Sequence, residues 1–577
     1  MELSFVDVFW IVFVVVIVAW YIHDKYVQRE HQLLVNYPII GRLRYLFEEV
    51  SEPFRQYFGD EKFYESKDKL DWVYKAARDK PNYASFSPSQ PLAKPKFMIR
   101  HANIVLNDDE VENDFKVVFG ERRRKPYISK SIIARSAMSD GSISPEGTRA
   151  FVQGSYLGGF PINSGEGGVT SNFFVTHENY DESYMKIVDS THLNKSIKRF
   201  FKFFFNGSLA ADVYRKLVFK NDPEAETYIL DLKTKRFYRP NWDAPLEVFP
   251  KEVPSDMPDI VFQISSGLYG ARDKTGKFDE DRYQKVMSFC QMTEIKIAQG
   301  AKQTGGKLSG AKVTPAIAYY RNVEAYKDVF SPNRFPYANT IEELFDFVGK
   351  LQELSGKPVG IKIVISDMEN IEPYAKEIKR RVDAGIDAYP DYITLDAGSG
   401  GSATAPLEMM ERVGLDVRDS VYLVDKILKD YGIRDKVRIV ASGKILTPDD
   451  IIIVMSLGAD FLQIARGFMM SAGCIRARYC SGTTGRQCPV GLATQDKSKR
   501  KKYFVFKHAN YVANYHKNLL KNVKGLLAIM GLKNIKQLDQ KKLLFVDKNS
   551  RVHDNLDEVF RRKLDLGKDK GEQNEFR

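Results

Sequence analysis

The sequence predicts an α/β chain built on a (β/α)8 TIM barrel, with a transmembrane helix ahead of it and a helical extension behind. Three observations predict this. From Ile132 onward, short β-rich runs alternate with helical patterns. Residues 3–22 are apolar apart from Ser4 and Asp7. After Ser498, apolar residues recur at helical spacing in a lysine-rich segment.

The first element is the apolar run. Val8 to Ile22 is unbroken and contains Trp10, Trp20 and Tyr21. About twenty helical residues span about 30 Å, the hydrocarbon thickness of a bilayer. A signal peptide places positive charge before such a run. Here Glu2 and Asp7 precede it, and Lys25 and Arg29 follow. That order favours a retained single-pass anchor, residues 1–24, over a signal peptide or a buried core helix. It also sets the bulk of the chain on the cytoplasmic side. Tyr37 to Asp79 reads as short amphipathic helices, with Leu43, Leu46, Phe47 and Val50 on one side. Pro81 to Pro95 holds four prolines and reads as a connecting loop. Residues 25–95 are therefore a helical segment and linker, and the main domain spans 96–497.

In that domain the β-rich runs include Ile132–Ser136, Asp259–Ile264, Gly360–Ile365, Tyr392–Leu395, Val437–Ala441 and Phe461–Ile464. Helical stretches at Ile341–Leu354, Ile371–Ala384, Val421–Tyr431 and Pro448–Leu457 separate several of them. Such alternation predicts parallel strands with helical crossovers. The length fits an enlarged barrel; a doubly wound open sheet is the second architecture the pattern allows. In residues 498–577, Val512, Tyr515, Leu519, Val523, Leu526 and Met530 form a helical stripe. It predicts a helix packed on the barrel, its lysine face in water or beside anionic lipid.

Composition narrows the function. The 577 residues are 43% hydrophobic and 28% charged, which excludes a wholly disordered chain. The net charge of +12 is spread along the chain, arguing against nucleic acid and for a membrane surface or small acidic substrates. Four cysteines do not make a disulfide scaffold. Cys474, Cys480 and Cys488 cluster and read as a metal site in a reducing compartment, with three free thiols as the plain alternative.

The segment from Glu294 to Arg321 organises the rest. It sets Lys296, Gln299, Lys302, Lys307, Lys312 and Arg321 among Gly300, Gly305, Gly306 and Gly310, with no acid until Glu324. A cationic glycine loop without compensation predicts an anion site. Lys296, Gln299 and Lys302 are three apart, so one helical turn would stack them. Two successive strand ends, Ser442–Gly443–Lys444 and Ala465–Arg466–Gly467, suit a phosphate. Gly398, Gly400 and Ala403 fit a dinucleotide fingerprint, but no strand with a terminal acid follows, so the loop is not read as an NAD site. Glu166 stands between glycines at a strand end, where it could move a proton. Lys362 lies inside an apolar strand and needs a partner. The spacing C-x5-C-x7-C allows an iron–sulfur centre or a zinc with a fourth ligand.

Together these motifs resemble the flavin domain of glutamate synthase, from about Arg42 to Asp496, in its stand-alone, membrane-anchored form. The resemblance implies FMN beside Met138 and Ser139, with Lys362 at the flavin ring. Asp396, Gly400 and Gly401 line its ribityl and phosphate side, and Ser442, Gly443, Lys444, Ala465 and Arg466 its phosphate. It implies that Lys296, Gln299 and Arg321 meet 2-oxoglutarate, with Lys307 near a second substrate contact. Glu166 and Lys302 then handle protons, and Cys474, Cys480 and Cys488 hold a three-iron cluster. The implied reaction reduces 2-iminoglutarate, formed from 2-oxoglutarate and ammonia, to L-glutamate. The first cysteine is Cys290, so no glutaminase half is expected; ammonia comes free or from a partner, and electrons from an external donor. An FMN oxidoreductase acting on another 2-oxo or 2-hydroxy acid is the alternative, as is a non-enzymatic, membrane-tethered flavin redox protein. Three features depart from the family pattern: Asp140 replaces an aromatic residue, the anion loop is shorter, and the Cys480–Cys488 interval is longer.

Overall fold

A computed structural model describes residues 5–49, 66–83, 96–174, 253–300, 305–406, 412–477, 487–500 and 503–564, with residues 408–409, 479–481 and short pieces between 185 and 240. Eight parallel strands close into a barrel. They are β1 (Ile133–Arg135), β2 (Ile162–Asn163), β3 (Ile260–Ile264), β4 (Met292–Lys296), β5 (Val359–Ile363), β6 (Tyr392–Asp396), β7 (Arg438–Ser442) and β8 (Phe461–Ile464). Pairing of Leu462 with Ile133 and Ile464 with Arg135 closes the ring, which rules out the open sheet.

Strand parity sorts the side chains. Residues two apart point the same way, so Met292, Glu294 and Lys296 enter the barrel at three heights, as do Tyr392, Thr394 and Asp396. The lowest layer is apolar: Ala134, Val261, Met292, Tyr392, Val440 and Phe461 cluster with Phe119 and Tyr127. Phe119 and Tyr127 belong to the hairpin Val117–Phe119/Tyr127–Ser129 that closes the bottom. The Phe119 ring lies 5.4 Å from Tyr392 and 5.2 Å from Phe461. Gly360 on β5 has no side chain to spare, because a Cβ there would stand 2.4 Å from the Tyr392 ring.

The long helix Val505–Ile529 packs against the helix Pro145–Gly158. Val512, Tyr515, Leu519 and Val523 are buried, as the stripe predicts. A Cβ at Gly154 would meet Val512 at 2.5 Å, so glycine sets how closely the two helices approach. Strand Lys96–Ile99 pairs antiparallel with Leu543–Val546, joining the start of the main domain to the C-terminal segment.

Asp450 joins three more helices. It is fully buried and accepts from Lys69 Nζ at 2.5 Å, Arg418 Nη2 at 3.0 Å and the Leu446 amide at 3.1 Å. Burial raises its pKa, but Lys69 and Arg418 more than offset this and hold it below the ordinary aspartate value. A depressed folded-state pKa stabilises above the unfolded value and is lost as pH falls through the folded one, here below about pH 4. Asp450→Asn is expected to cost about 1.5–3 kcal/mol at neutral pH, because two half-buried cations, Lys69 and Arg418, lose their shared carboxylate. It should also flatten the acid limb of stability against pH. Urea unfolding across pH checks both; an unchanged acid limb would show that Asp450 does not set it.

Ahead of the barrel runs the helix Phe5–Ile22. The span Phe9–Val27 is long and apolar enough to cross a membrane, a composition that a signal sequence shares. It continues into the helical turn His23–Val27. The chain then turns back through Gln32–Asn36, whose Leu33, Leu34 and Val35 are buried, into the helix Ile40–Glu49. Val50 and most of the proline-rich linker lie outside the described residues.

Candidate active site

The carboxyl ends of the strands carry most of the predicted site. Lys296 ends β4, and its ammonium donates to Glu166 Oε2 at 2.6 Å and to Gln299 Oε1 at 2.5 Å. Lys296 and Gln299 thus meet as the three-residue spacing predicts, but across the turn that follows a strand and not along a helix. Glu166 lies in the tight loop after β2. A Cβ at Gly165, whose φ is +71°, would stand 2.5 Å from the Ser139 amide. The loops after β1 and β2 therefore touch backbone to backbone, which sets Met138 and Ser139 beside the Glu166 loop.

Arg321 enters from another side. Thr314 caps the helix Pro315–Arg321, with proline in its first turn, and Arg321 sits at its end. The guanidinium is buried 5.2 Å over the Tyr269 ring and donates to the Asp140 carbonyl at 3.3 Å. A Cβ on Gly167 would meet Arg321 Nη2 at 2.7 Å, so glycine lets the cation reach the Glu166 loop. Arg321 Nε is buried with no hydrogen-bond partner. Burial lowers the Arg321 pKa, and Glu166, Tyr269 and Asp140 oppose the shift.

Asp140 is the residue that sequence reasoning treated only as a departure. It is buried, and its carboxylate accepts from Thr148 at 3.2 Å, Thr170 at 2.5 Å, Asn172 at 2.6 Å and the Gly141 amide at 3.0 Å. It staples the loop after β1 to the segment after β2. Burial pushes its pKa up, and these hydrogen bonds work against the shift.

Lys362 has the partner that its buried position demands. Its ammonium is 3.3 Å from Asp396 Oδ2, and the same oxygen accepts from the Gly300 amide at 3.0 Å. Burial lowers the lysine pKa, but Asp396, Glu294 and Glu166 more than offset this and it is raised. A Cβ at Gly300 would fall 1.6 Å from the Ala397 carbonyl oxygen. Only glycine lets the anion loop lie against the Gly398–Gly401 loop this closely.

Below this level sits a polar layer. Glu294 is completely buried and accepts from Asn163 at 2.9 Å, Gln263 at 2.6 Å, Thr394 at 2.6 Å and Gln463 at 2.7 Å. Four donors match the lone-pair sites of one carboxylate. Sequence reading used Glu294 only to mark where the cationic stretch begins. The missed signal was alternation: Glu294 and Lys296 are two apart on one strand, and so are Thr394 and Asp396.

The loops after β7 and β8 sit together. Gly443 has φ +139°, and a Cβ there would meet that of Ala397 at 2.5 Å. Ser442 accepts the Ala397 amide at 2.9 Å, and Lys444 adopts a left-handed φ of 44°. Arg466 Nη2 lies 3.6 Å from where a Gly401 Cβ would be. Tyr515 supports both loops from behind: its hydroxyl donates to the Leu446 carbonyl at 2.8 Å, and a Cβ on Gly467 would overlap it at 2.0 Å.

The three clustered thiols lie to one side. Burial pushes the Cys474 thiol up to about 12, with Cys480 and Cys488 adding to the shift, and raises Cys480 likewise. Among the described residues no group of three His, Cys, Asp or Glu side chains could share one metal ion. That weighs against a mononuclear zinc. In an iron–sulfur cluster, sulfides hold the irons apart and each thiolate binds its own, so the thiols need not meet at a point. Lys312 belongs with them. Its buried ammonium donates to the carbonyls of Cys480 at 2.6 Å, Ala493 at 3.1 Å and Ser142 at 3.3 Å, so it faces the cysteines and not the anion loop. Burial lowers its pKa, opposed by Cys480 and Cys488. Within the longer Cys480–Cys488 interval, residues 482–486 lie outside the described residues.

Besides Lys312, one further predicted residue, Lys307, is not brought in. Lys307 sits on the hairpin Gly306–Leu308/Val329–Ser331, where its ammonium pairs with Asp328 at 2.7 Å. Lys302 lies outside the described residues.

This geometry has relatives. A protein of Bacillus subtilis (strain 168) named glutamate synthase large subunit-like protein YerD is 30% identical over 563 residues, 90% of each chain. An archaeal-type glutamate synthase (NADPH) of Thermotoga sp. (strain RQ2) is 30% identical over 292 residues, 50% of this chain and 53% of that one. A similar enzyme of Methanocaldococcus jannaschii is 32% identical over 282 residues, 48% of this chain and 51% of that one. The chain thus matches about half the length of these archaeal-type relatives. The family model for the conserved region in glutamate synthase matches residues 71–533, which cover all eight strands and all three clustered cysteines. On this match, the barrel with its cationic mouth belongs to the glutamate synthase family.

Proposed function

We propose that the chain is an FMN-dependent oxidoreductase that reduces 2-iminoglutarate, formed from 2-oxoglutarate and ammonia, to L-glutamate. The observation that carries this is the convergence of Lys296, Arg321 and Lys362 around Glu166 and Asp396 at the carboxyl end of a closed barrel. Arg321 Nε has no hydrogen-bond partner among the described residues, so one buried donor is open to an acid substrate.

The residues fit FMN. Gly443, Lys444 and Arg466 form a two-loop cradle for one terminal phosphate, and Ser442, Asp396, Gly400, Gly401 and Ala465 border it. Met138 and Ser139 approach from β1. FMN, when bound, supplies hydride to the α-carbon. Lys362 favours the negative charge of a reduced ring, and Asp396 holds that lysine in place. Arg321 grips a substrate carboxylate as a bidentate fork, using the Nε that has no hydrogen-bond partner among the described residues. Lys296 holds carboxylate or carbonyl oxygen, and Gln299 fixes its direction. Glu166 moves a proton at the imine nitrogen, with Lys302 assigned to the same centre. Cys474, Cys480 and Cys488 are the proposed ligands of an iron–sulfur cluster that passes electrons inward. The ammonia source and electron donor are external. A second reading, an FMN oxidoreductase acting on a shorter 2-oxo acid, has one observation in its favour: Lys307 is occupied by Asp328.

The test is oxidation of the chemically reduced protein by a panel of 2-oxo acids, with and without ammonium. Glutamate formed only with 2-oxoglutarate and ammonium is the expected result. Reoxidation by a shorter acid alone selects the second reading. Iron and acid-labile sulfide in anaerobically purified protein, lost in Cys488→Ser, tests the cluster. Arg466→Glu is expected to lower FMN content sharply by setting a negative charge against the phosphate. Full FMN occupancy in that variant would place the phosphate elsewhere.

A further inference from the structure

The helix Ile40–Glu49 is built inside out. A surface helix normally turns its apolar side to the core. Here Ile40, Leu43, Leu46 and Phe47 face outward, with Ile40 71% and Phe47 57% exposed. The side toward the protein is held by glycine and polar groups. A Cβ on Gly41 would stand 2.9 Å from the Leu34 side chain. Arg44 donates to the Ile475 carbonyl at 3.4 Å, and Tyr45 packs on the main core.

This orientation is fixed. Asp24, completely buried at the foot of the apolar N-terminal helix, accepts from Arg42 Nε at 2.8 Å, Arg42 Nη2 at 2.5 Å and the Ile39 amide at 3.0 Å. The Arg42 guanidinium also lies 5.4 Å over the Trp20 ring. Ile39, a β-branched residue, is held at a φ of 63°, which such residues rarely adopt. The short helix is thereby clamped to the end of the apolar one, and Ile22, Val27 and Tyr37, on the segments that the clamp joins, are exposed as well. Cations stand at the anchor side of this face, while Glu48 and Glu49 end the helix. Lys25 lies 5.0 Å over the Tyr21 ring, and Lys499 lies 4.0 Å over the Tyr37 ring and donates to its hydroxyl at 2.7 Å. An apolar face with cations at its anchor side suits the boundary of acyl chains and anionic headgroups.

We infer that the Ile40–Glu49 helix lies in the membrane interface, with Ile40, Leu43 and Phe47 among the acyl chains of an anionic bilayer beside the anchor. The inference rests on the anchor reading of the Phe9–Val27 span. It fixes the tilt of the barrel on the membrane, which an anchor alone leaves free. Asp24 then belongs to the docking segment, so a truncation meant to release a folded domain should stop at Ile22.

The test uses the full chain in vesicles of phosphatidylcholine and phosphatidylglycerol. A polarity-sensitive fluorophore is placed at Leu43→Cys, Phe47→Cys, Phe13→Cys or Ile128→Cys, with the unsubstituted chain as blank. Ile128 is exposed on the hairpin that closes the far end of the barrel. Emission at 43 and 47 should shift to the blue and be quenched by lipid carrying a nitroxide near the headgroup. Position 13 should be quenched by a deep nitroxide, and position 128 by neither. Quenching at 13 without quenching at 43 and 47 overturns the inference and leaves the anchor standing. No quenching at any position means that the anchor reading has failed and this inference with it. Protection of 43 and 47 from aqueous iodide without lipid quenching would assign the face to a protein partner or a second copy, which also overturns it.

Discussion

Glu166→Gln is expected to lower glutamate formation by about 10²–10⁴-fold, the usual contribution of a positioned proton donor or acceptor. The substitution keeps shape and removes the ionisable proton. Lys296 keeps an oxygen to donate to, and the Gly165 contact with Ser139 is untouched. FMN content should therefore stay at the level of the unsubstituted chain. Glu166→Asp, which restores the acid on a shorter arm, should recover part of the loss. The measurement is single-turnover reoxidation of the reduced protein by 2-oxoglutarate and ammonium. An unchanged rate in Glu166→Gln would remove this residue from proton transfer and leave it as a tether for Lys296.

The second large effect is expected at Glu294→Ala. Four buried donors, from Asn163, Gln263, Thr394 and Gln463, would lose their common acceptor, and Lys362 would lose a nearby negative charge. Breaking a buried charged network on one side costs about 3–5 kcal/mol. Urea unfolding of the flavin-loaded protein reads it. Glu294→Gln should cost less than alanine: it keeps volume and one acceptor, but points an amide at amide donors. A loss below about 1 kcal/mol for alanine, the size of an ordinary hydrogen bond, would mean that water replaces the carboxylate.

How much of this was legible depends on what each residue type announces. The barrel was, because alternation of strand and helix patterns leaves few topologies. Strands β2 and β4 were not: β2 has two residues, too few to show a period, and the charges of Glu294 and Lys296 made β4 read as the start of a loop. Lys296, Glu166, Arg321 and Lys362 were legible as charges out of place and Gln299 by its spacing from Lys296, and the structure brings them to one mouth. Lys307 and Lys312 were grouped with them because a cationic stretch does not show which way each ammonium turns. That choice is made by tertiary partners, Asp328 for one and three carbonyls for the other. Asp140 was hidden for a related reason. Its donors Thr148, Thr170 and Asn172 are unremarkable in sequence and become a set only when two strand-end loops meet.

Phe119 has a consequence for traffic. With its ring wedged among Tyr392 and Phe461, the barrel is a blind well stoppered from beneath. On the proposed reaction, ammonia, oxo acid and product would pass on the side of Lys296 and not through the Phe119 end. Whichever reactant settles deepest is walled in by the next arrival and leaves only after it. Turnover in such a well would be a queue.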